Sequence, residues 1–520
     1  MSGTGESLWV VCAHPPHADP RIGWSADFAR SHGYDVHVFG LDHRAEPTPS
    51  GPGETVIPAP GGRVGWARGL MHLHRLGLRL HPRDAGALGA LFLILSPFLI
   101  VIGVPLLFIM IIVRSLRMAA RLIRAVLRRM DVGLRALPKG EGVSNRLRHA
   151  GRVVRNRFWQ PLIALLSPLS AQSVFRRALR QLTKGRLGEA WIALEGYRWY
   201  LLDHVLPLAD ALVAQARENP PQIIHAHDPD GLLAAVALKR ACGARLVFDA
   251  HEYGPDAYLL RPRPRRLFRM IERAGVSHAD AALGVSTPLI NLWQARFPTV
   301  PFALLPNASP LAEIDFDPLP PPHQTQGREG RLSVLFQGGF APERGVDRVI
   351  ESWSSVRGAD LYLRGPDGTR RDALLKTAHA SGLLDKSIFF LPSLSEDQLI
   401  AGAAFADIGL IPYASDVENH AIACPNKLGQ FMMAGLMILS TDLPFVAEII
   451  TQGECGRIYD DRTIHDLSDT VNQLATDREF VNRKALNASR HARDAYHYEA
   501  YASALISSYR TPSRHTTKDH

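Results

Sequence analysis

Short apolar runs alternate with amphipathic stretches through the first part of the chain, and this alternation predicts β-strands joined by helices. Helical character is found at residues 25–33 and 231–243, whereas the proline-containing segment 14–23 is predicted as a loop. A strand, loop, helix and second strand in this order begin a parallel α/β sheet. The apolar runs are Leu8–Ala13, Asp35–Leu41, Gln222–Asp228, Arg245–His251, Ala281–Ser286 and Pro301–Asn307.

A second alternating pattern follows residues 311–330, which are rich in proline and polar residues and are predicted as a linker. Its strands are predicted at Arg331–Gln337, Asp360–Gly365, Ile388–Pro392, Asp407–Tyr413 and Leu436–Asp442. Two sequential α/β units predict two facing Rossmann-like domains with a ligand cleft at the carboxyl ends of their strands. The predicted boundaries are 1–310 for the N-terminal acceptor domain, 331–495 for the nucleotide-sugar domain, 496–510 for a terminal helix and 511–520 for a polar tail.

An insert at 85–200 interrupts the first unit. It begins with the apolar run Leu88–Val113, 26 residues without a charge, which is long enough for a transmembrane helix. Pro97, Gly103 and Pro105 break this run, so that neither half would span a bilayer unaided. Residues 114–198, predicted as basic helices, contain 17 Arg and 2 Lys against four acidic residues; this block carries a net charge of +15 and the rest of the chain −6.

The charge of this block predicts a polyanionic partner. If the strands before and after the insert share one sheet, a single membrane crossing is impossible, because the sheet would lie on both sides of the bilayer. We therefore expect monotopic or re-entrant association with an anionic membrane surface, on the cytoplasmic face of the cell membrane. The basic stripe responsible would be Arg114, Arg117, Arg121, Arg124 and Arg128, which recur at helical spacing.

The membrane interpretation has two alternatives. A buried pair of core helices with a solvated basic face is the first, although 26 apolar residues exceed the length usual for a soluble helix. Nucleic acid is the second, and no nucleic-acid partner is expected, because neither aromatic interleaving nor a binding motif accompanies the charge.

Composition adds limits of its own. A chain of 520 residues exceeds one ordinary core, and 46% apolar with 21% charged residues is typical of a folded protein rather than a disordered one. The four cysteines are widely scattered and lack metal-ligand spacing, which fits a reducing cytosol better than a disulfide framework. No metal site is expected, because only two potential ligands, His225 and His227, alternate along one strand.

Six segments in order carry a specific resemblance. They are 18–36, 223–235, 246–256, 304–310, 335–350 and 423–444, among them IIHAHDPDGLLAA, LFQGGFAPERGVDRVI and ACPNKLGQFMMAGLMILSTDLP. Through these segments the chain resembles the retaining family-4 glycosyltransferases of the GT-B fold, over nearly all its length except the insert. The resemblance implies an α/β fold of two facing domains, here with a membrane-associating helical insert in the N-terminal domain.

The segment Cys424–Gly435 also predicts a binding site from its own residues. Pro425 and Asn426 start a short helix, and Gly435 suits the left-handed position after its end. The N-terminus of such a helix attracts phosphate, because its first amides lack intrahelical partners. The resemblance implies a Glu on this helix that holds the ribose hydroxyls; Gln430 stands there, and Ile422 stands where many members carry an earlier Glu.

Candidate phosphate-binding residues follow the strand at 331–337. Gly338 and Gly339 permit close approach of a ligand, and the resemblance implies a basic pair here, of which Arg344 fills the second position. Lys427 is expected to supply the other positive charge. The alternative for Arg344 is a surface arginine at a helix start.

The remaining candidates come from strand ends and loops. His251, at the end of a strand, is expected to contact the sugar or the acceptor, with a structural histidine held by Asp249 as the alternative. Asn426 and Glu448 are expected on the nucleotide side, Glu448 alternatively as a first-turn helix carboxylate. Gly23 is expected near the donor phosphate, with Arg21, His227 and Asp228 on the acceptor side.

These features predict a membrane-associated, metal-independent, retaining hexosyltransferase-like enzyme with His251, Arg344 and Lys427 in catalysis. The donor would be a nucleotide sugar acting as co-substrate, without a further cofactor, and the acceptor a lipid-linked saccharide or glycolipid in cell-surface polysaccharide synthesis. One alternative is a non-catalytic membrane scaffold or activator, suggested by Gln430 and Ile422. A sugar-nucleotide epimerase ranks last, since it requires acid and base carboxylates around the sugar and no membrane insert.

Overall fold

The computed structural model describes residues 5–42, 53–58, 205–253, 272–273 and 275–512. The predicted insert at 85–200, with its apolar run 88–113 and basic helices 114–198, lies outside the described residues. Within the described residues, no helix combines the length and the apolar character needed to cross a membrane.

The N-terminal domain is built on a parallel sheet whose described strands follow the order β3-β2-β1-β4-β5-β6-β7. Apolar runs form its centre, because strands covered on both faces must be apolar throughout, and in β4 every residue is buried. Each strand is in parallel register with its neighbour; Val10, for example, pairs with Val38 on one side and His225 on the other. The strands are β1 Ser7–Val11, β2 Asp35–Asp42, β3 Glu54–Pro58, β4 Ile223–His227, β5 Arg245–Ala250, β6 Ala281–Gly284 and β7 Phe302–Leu304.

Four described helices flank this sheet: α1 Pro20–Ser31, α2 Leu206–Gln215, α3 Asp228–Cys242 and α4 Thr287–Arg296. Residues 14–23, predicted as a loop, contain the start of α1. The prediction was wrong there because Asp19 caps the helix, accepting a hydrogen bond from the Arg21 amide, and Pro20 occupies the first helical position.

The C-terminal domain contains a second parallel sheet, with described strands in the order β10-β9-β8-β11-β12-β13. The strands are β8 Leu332–Gln337, β9 Ala359–Arg364, β10 Ile388–Leu391, β11 Ile408–Ile411, β12 Met437–Thr441 and β13 Gly456–Tyr459. The helices are α5 Val346–Ser352, α6 Thr369–Ala380, α7 Leu399–Ala403, α8 Glu418–Ala421, α9 Asn426–Met433, α10 Pro444–Gly453, α11 Ile464–Thr476 and α12 Arg478–Asp494. Short 3₁₀ helices at Pro342–Arg344 and Glu396–Gln398 lie at the edge of the cleft described below.

The last helix, α13 Tyr498–Arg510, returns to the N-terminal domain. Its buried residues Tyr498, Leu505 and Tyr509 belong to one apolar cluster with Leu8 and Val10 of β1. The chain therefore passes between the domains twice, once through residues 311–330 and once between α12 and α13. The two passages meet, because the Tyr498 amide donates to the Ser309 carbonyl at 3.1 Å.

Two strands, β3 and β13, were absent from the sequence-based assignment. Both are short edge strands, and most of their residues are only partly buried. Edge strands of this kind lack the continuous apolar run that marks the central strands.

Candidate functional site

A cleft of about 620 Å³ lies between the carboxyl ends of the two sheets. The N-terminal domain contributes Asp19, Asp228, His251, Glu252 and Asn307, among others. The C-terminal domain contributes a larger share, including Gly338, Gly339, Arg344, Arg364, Glu396, Tyr413, Ile422, Asn426, Lys427 and Gln430. The predicted position of the ligand cleft is therefore where the structure places it.

Helix α9 forms one wall of the cleft and has the predicted start and stop. Asn426 is its first residue after Pro425, and Gly435 takes φ +75° just beyond its end. The helix is packed closely from Lys427 through Met433, all of which are buried. Asn426, Lys427 and Gln430 line the cleft, so the N-terminus of the helix lies at its wall.

Two cations face the cleft from the same corner. The Lys427 ammonium lies 4.2 Å from the Phe336 ring centre and 4.6 Å from that of Tyr413, and the Arg344 guanidinium lies 4.3 Å from the Tyr413 ring. Burial and the neighbouring charge of Arg344 hold the pKa of Lys427 well below its usual value. Among the described residues, no carboxylate lies within ion-pair distance of either cation, so the corner is prepared for an anion.

Gln430 is held by hydrogen bonds on both ends of its amide. Its Oε1 accepts from Gln337 Nε2 at 3.3 Å, and its Nε2 donates to Glu396 Oε1 at 2.9 Å. Ile422 is buried in the cleft wall, and its carbonyl accepts from the Ser286 hydroxyl across the domain boundary.

His251 lies at the opposite wall, enclosed by carboxylates. Its Nδ1 is 3.0 Å from Asp19 and 3.4 Å from Asp228, and its Nε2 is 3.5 Å from Asp249. Burial alone would lower the pKa of His251, but the charges of Asp228, Asp19 and Asp249 outweigh it and raise that pKa well above its usual value. The carboxylates around His251 therefore favour its imidazolium form.

His227 lies behind His251 and out of reach of a ligand. Burial and the neighbouring His225 hold the pKa of His227 well below its usual value, so its ring is neutral. Its Nδ1 lies 3.1 Å from His251 Nε2 and accepts a hydrogen bond from that nitrogen when His251 is protonated. The predicted acceptor-side position of His227 thus belongs to a supporting residue.

Arg21 differs from its expected position on the acceptor side. Only 2% of it is exposed, and its guanidinium donates to both oxygens of Asp249 at 2.8 and 2.9 Å. A further donor reaches the Pro306 carbonyl and the Asn307 side chain, both at 3.1 Å. With its donors occupied in this way, Arg21 ties β5 to the end of the N-terminal domain.

Gly23 and Glu448 do not line the cleft either. Gly23 lies in the first turns of α1 and faces open space, and Glu448 is exposed on α10, where it accepts from Gln452 one turn later. Glu448 is a helix carboxylate, but it lies in the second turn of α10 and not in the first turn, as the alternative interpretation had it.

His225, His227 and Asp249 together resemble a metal-ligand cluster, since one ligand atom of each lies within 4.8 Å of the others. The third member was missed in the sequence because Asp249 follows 22 residues after His227, on the adjacent strand β5. Both Asp249 oxygens already accept from Arg21, and a cation there would also face the His251 imidazolium. The cluster is consequently better suited to holding Arg21 and His251 than to binding a metal.

Among the unpredicted residues that line the cleft in the described part of the chain, four are charged: Asp19, Glu252, Arg364 and Glu396. Glu252 could have been found, because it directly follows His251 after a strand end. Burial and the charge of Asp228 raise the pKa of Glu252, while Arg344 acts in the opposite sense. Arg364 ends β9 and Asp19 precedes α1, so both carried the same kind of signal. Glu396 is held at the cleft by Gln430, 34 residues further along the chain.

Two Rossmann-like domains facing each other across a ligand cleft define a protein of the GT-B architecture. Residues 331–477 match the family model described as "Glycosyl transferases group 1", and residues 111–308 match the one described as "Glycosyl transferase 4-like domain". The chain belongs to the family-4 glycosyltransferases.

Two curated relatives are similar in sequence to part of this chain. A GDP-mannose-dependent alpha-(1-6)-phosphatidylinositol monomannoside mannosyltransferase from Mycobacterium tuberculosis is 26% identical over 158 residues, 29% of this chain and 40% of the relative. A D-inositol 3-phosphate glycosyltransferase from Nocardia farcinica is 24% identical over 191 residues, 35% of this chain and 40% of the relative. The chain thus matches about 40% of the length of each.

One solved structure supports the fold alone. The sucrose-phosphate synthase of Thermosynechococcus elongatus superposes with a TM-score of 0.60 at 10% identity, covering 97% of this chain and 98% of that one.

Proposed function

We propose that the protein transfers a sugar from a nucleoside-diphosphate sugar bound in the cleft to an acceptor presented from the N-terminal domain. One observation carries this proposal: Arg344 and Lys427 face the cleft beside the N-terminus of α9, without a carboxylate partner among the described residues. Two neighbouring cations, of which Lys427 is buried and Arg344 partly buried, are costly to hold together unless an anion completes them. A diphosphate supplies that anion.

The same pair gives the reaction its electrostatic support. When the bond between the anomeric carbon and the diphosphate oxygen breaks, negative charge grows on the leaving diphosphate. Arg344 and Lys427 stabilise this charge with directed hydrogen bonds. The amides at the N-terminus of α9 stabilise it with their dipoles. The acceptor hydroxyl attacks the anomeric carbon on the face from which the diphosphate leaves, and a phosphate oxygen takes its proton, so that configuration is retained.

His251 is proposed to hold the donor sugar on the opposite wall. As an imidazolium it donates its Nδ1 proton toward Asp19, and Asp228 lies close to the same atom. Both ring nitrogens are thereby occupied, and the two carboxylates that the ring holds form the polar surface that can bind sugar hydroxyls. Asp228 takes φ +55°, an uncommon backbone conformation for a residue other than glycine, which brings it to the cleft at the start of α3.

The acceptor is proposed to be a lipid-linked saccharide or glycolipid, with the enzyme on the cytoplasmic face of the membrane. The support comes from the apolar and basic segments at 88–113 and 114–198 and from the two relatives, one of which acts on a phosphatidylinositol mannoside according to its name. The strands on both sides of these segments do share one sheet, as the topological argument for a monotopic or re-entrant arrangement requires.

Thermal stabilisation by UDP, GDP and ADP and by their sugars tests the proposal. A ligand at 100 times its dissociation constant adds about 2.7 kcal/mol to stability, which is readily seen as a shift in melting temperature. We expect Arg344→Ala and Lys427→Ala each to weaken nucleotide affinity about 10- to 100-fold, because each removes a charge-assisted hydrogen bond.

Arg348→Ala is the matched control. Arg348 lies on α5, just after Arg344, is 58% exposed and faces Asp461 at 3.5 Å. Its replacement should leave nucleotide affinity unchanged. A wild-type protein that responds to no nucleotide or nucleotide sugar would refute the proposed transfer, and nucleotide binding without sugar transfer to any lipid acceptor would favour the scaffold alternative.

A further inference from the structure

A chain of side-chain hydrogen bonds crosses the floor of the cleft from a cation to a carboxylate. Arg364 Nη1 donates to Gln337 Oε1 at 3.1 Å, Gln337 Nε2 donates to Gln430 Oε1 at 3.3 Å, and Gln430 Nε2 donates to Glu396 Oε1 at 2.9 Å. The three residues preceding Glu396 in this chain are buried. Their positions are therefore fixed by packing as well as by hydrogen bonds.

The chemistry of the first residue orients every amide that follows. A guanidinium can only donate, so Gln337 must present its oxygen to Arg364 and its nitrogen to Gln430. Gln430 must then accept from Gln337 with its oxygen and donate with its nitrogen. The direction of the chain is thereby set, and it ends on the carboxylate of Glu396.

This orientation changes which atom can bind a ligand. The Gln430 oxygen is already engaged by Gln337, and the Gln430 amide holds Glu396 Oε1. The second carboxylate oxygen, Glu396 Oε2, has no hydrogen-bond partner among the described residues. Glu396 lines the cleft and is exposed on the 3₁₀ helix Glu396–Gln398.

The position of Gln430 on α9 relates this carboxylate to the phosphate corner. Lys427 and Gln430 are three residues apart on one helix, so they share a face and are separated by about 4.5 Å along its axis. A nucleotide whose phosphates reach Lys427 therefore carries its ribose past Gln430 and Glu396. Vicinal ribose hydroxyls are donors, and a carboxylate accepts from both.

We propose that Glu396 is the acceptor for the ribose hydroxyls of the bound nucleoside diphosphate, with Gln430 as the residue that positions it. This assignment rests on the proposed function. The carboxylate that α9 lacks at position 430 is supplied from a separate segment, 34 residues earlier in the chain, and the amide of Gln430 holds it in place.

Calorimetric titration of the full-length protein with UDP, GDP and their 2′,3′-dideoxy analogues tests this proposal. Glu396→Gln should weaken binding of UDP and GDP about 10- to 100-fold, which is the range for a lost hydrogen bond to a charged group. The dideoxy analogues should bind wild type and Glu396→Gln with equal affinity, because they carry no hydroxyls for the carboxylate to accept. Asp397→Asn is the matched control, an exposed neutral substitution at the adjacent residue, and should change none of these affinities.

A second test exchanges the carboxylate and the amide between positions 396 and 430. In Glu396→Gln/Gln430→Glu the carboxylate moves to α9 and the amide to the 3₁₀ helix, so the hydrogen bond between them is kept with donor and acceptor reversed. We expect this double variant to regain ribonucleotide affinity to within about threefold of wild type. The single change Gln430→Glu places two carboxylates side by side and should weaken binding.

The outcomes are distinguishable. Equal losses for ribo- and dideoxynucleotides in Glu396→Gln would overturn the ribose assignment, and a loss confined to GDP and its dideoxy analogue would assign Glu396 to the guanine base instead. Unchanged ribonucleotide affinity in Glu396→Gln would overturn it as well. If wild type binds no nucleotide at all, the proposed function itself has failed.

Discussion

Three cationic side chains lie close to the cleft, one with a structural role and two with a proposed role in ligand binding. Arg21 is fully satisfied by Asp249, by the Pro306 carbonyl and by Asn307, and its role is structural. Arg344 and Lys427 stack on aromatic rings, which stabilise a cation without neutralising it. These cations differ in role because Arg21 is paired with a carboxylate whereas Arg344 and Lys427 contact aromatic rings. Tertiary contacts determine these partners.

The depressed pKa of Lys427 predicts a pH-dependent affinity. A diphosphate binds the protonated lysine, so binding takes up a proton once the free ammonium has begun to titrate, and affinity for UDP should fall as pH rises above neutrality toward the ordinary lysine pKa. This window lies above the second phosphate pKa of about 6, which therefore does not contribute.

Lys427→Arg serves as the control for this effect. An arginine stays protonated throughout the window, so the slope of affinity against pH measured by calorimetry should flatten. An equally steep slope in the arginine variant would assign the titration to another group.

The buried pair of Arg21 and Asp249 predicts a large stability effect. Asp249→Asn leaves an uncompensated guanidinium in the core and should lower unfolding free energy by roughly 3–5 kcal/mol. The double variant Arg21→Met/Asp249→Leu removes both charges and should lie closer to wild type. Arg30→Met breaks an exposed pair with Asp27 on the same helix and should cost under about 1 kcal/mol in the same denaturant titration.

At the residue scale the sequence predicted the site only in part. Lys427 and His251 were predicted because each lies next to a helix start or a strand end, and Arg344 and Gln430 because the family resemblance implies a phosphate contact and a ribose contact at those positions. The role of Arg21 was missed because its partner is 228 residues away, and Glu396 was missed because nothing local connects it with Gln430. Side chains that act through distant contacts leave no periodic signal.

At the scale of elements, two glycines with the same φ angle are required for different physical reasons. Gly345 and Gly435 both take φ +75°. A Cβ on Gly435 would meet nothing within 4 Å, whereas a Cβ on Gly345 would lie 1.9 Å from the Pro412 carbonyl oxygen. The first glycine ends α9, and the second lets the segment carrying Arg344 approach the end of β11.

Alanine at these two positions should therefore separate strain from steric overlap. Gly435→Ala should cost about 1–2 kcal/mol, the strain of a left-handed alanine, and leave nucleotide affinity nearly unchanged. Gly345→Ala should cost more and also weaken nucleotide binding, because the displaced backbone carries Arg344. Melting temperature and UDP affinity of both variants check this, and equal effects would show that the close approach to Pro412 is unimportant.

Among the elements, central strands were easier to predict than edges and helix starts. Runs such as LWVVCA and LMILSTD are apolar because both faces of the strand are covered. The edge strand Glu54–Pro58 has no such run, and α1 began earlier than expected because Asp19 and Pro20 form a capped start inside a polar segment.

At the scale of the whole molecule, the basic stripe in the segment outside the described residues predicts membrane affinity. Each arginine near an anionic surface contributes about 1 kcal/mol, so replacing the stripe with glutamine should reduce binding to phosphatidylglycerol vesicles by at least about 100-fold. Vesicle cosedimentation of the intact chain measures this. The substituted residues are Arg114, Arg117, Arg121, Arg124 and Arg128.

A control with the same charge change uses exposed arginines of the described residues. They are Arg357, Arg462, Arg483, Arg490 and Arg510. Their replacement by glutamine should leave vesicle binding nearly intact if the stripe is responsible. Equal losses in the two variants would show that net charge alone causes the effect. If the wild-type protein does not sediment with the vesicles, the proposed membrane association is wrong.

The return of α13 to the first domain has a mechanical consequence. The two passages between the domains lie side by side, joined by the hydrogen bond from Tyr498 to Ser309 and by the Leu311 amide, which donates to Glu499 at 3.0 Å. The Ser286 hydroxyl and the Asn307 side chain join the same two domains elsewhere, through the carbonyls of Ile422 and Cys424. The doubled passage therefore secures one end of the domain boundary, and a break in either passage would leave the other in place.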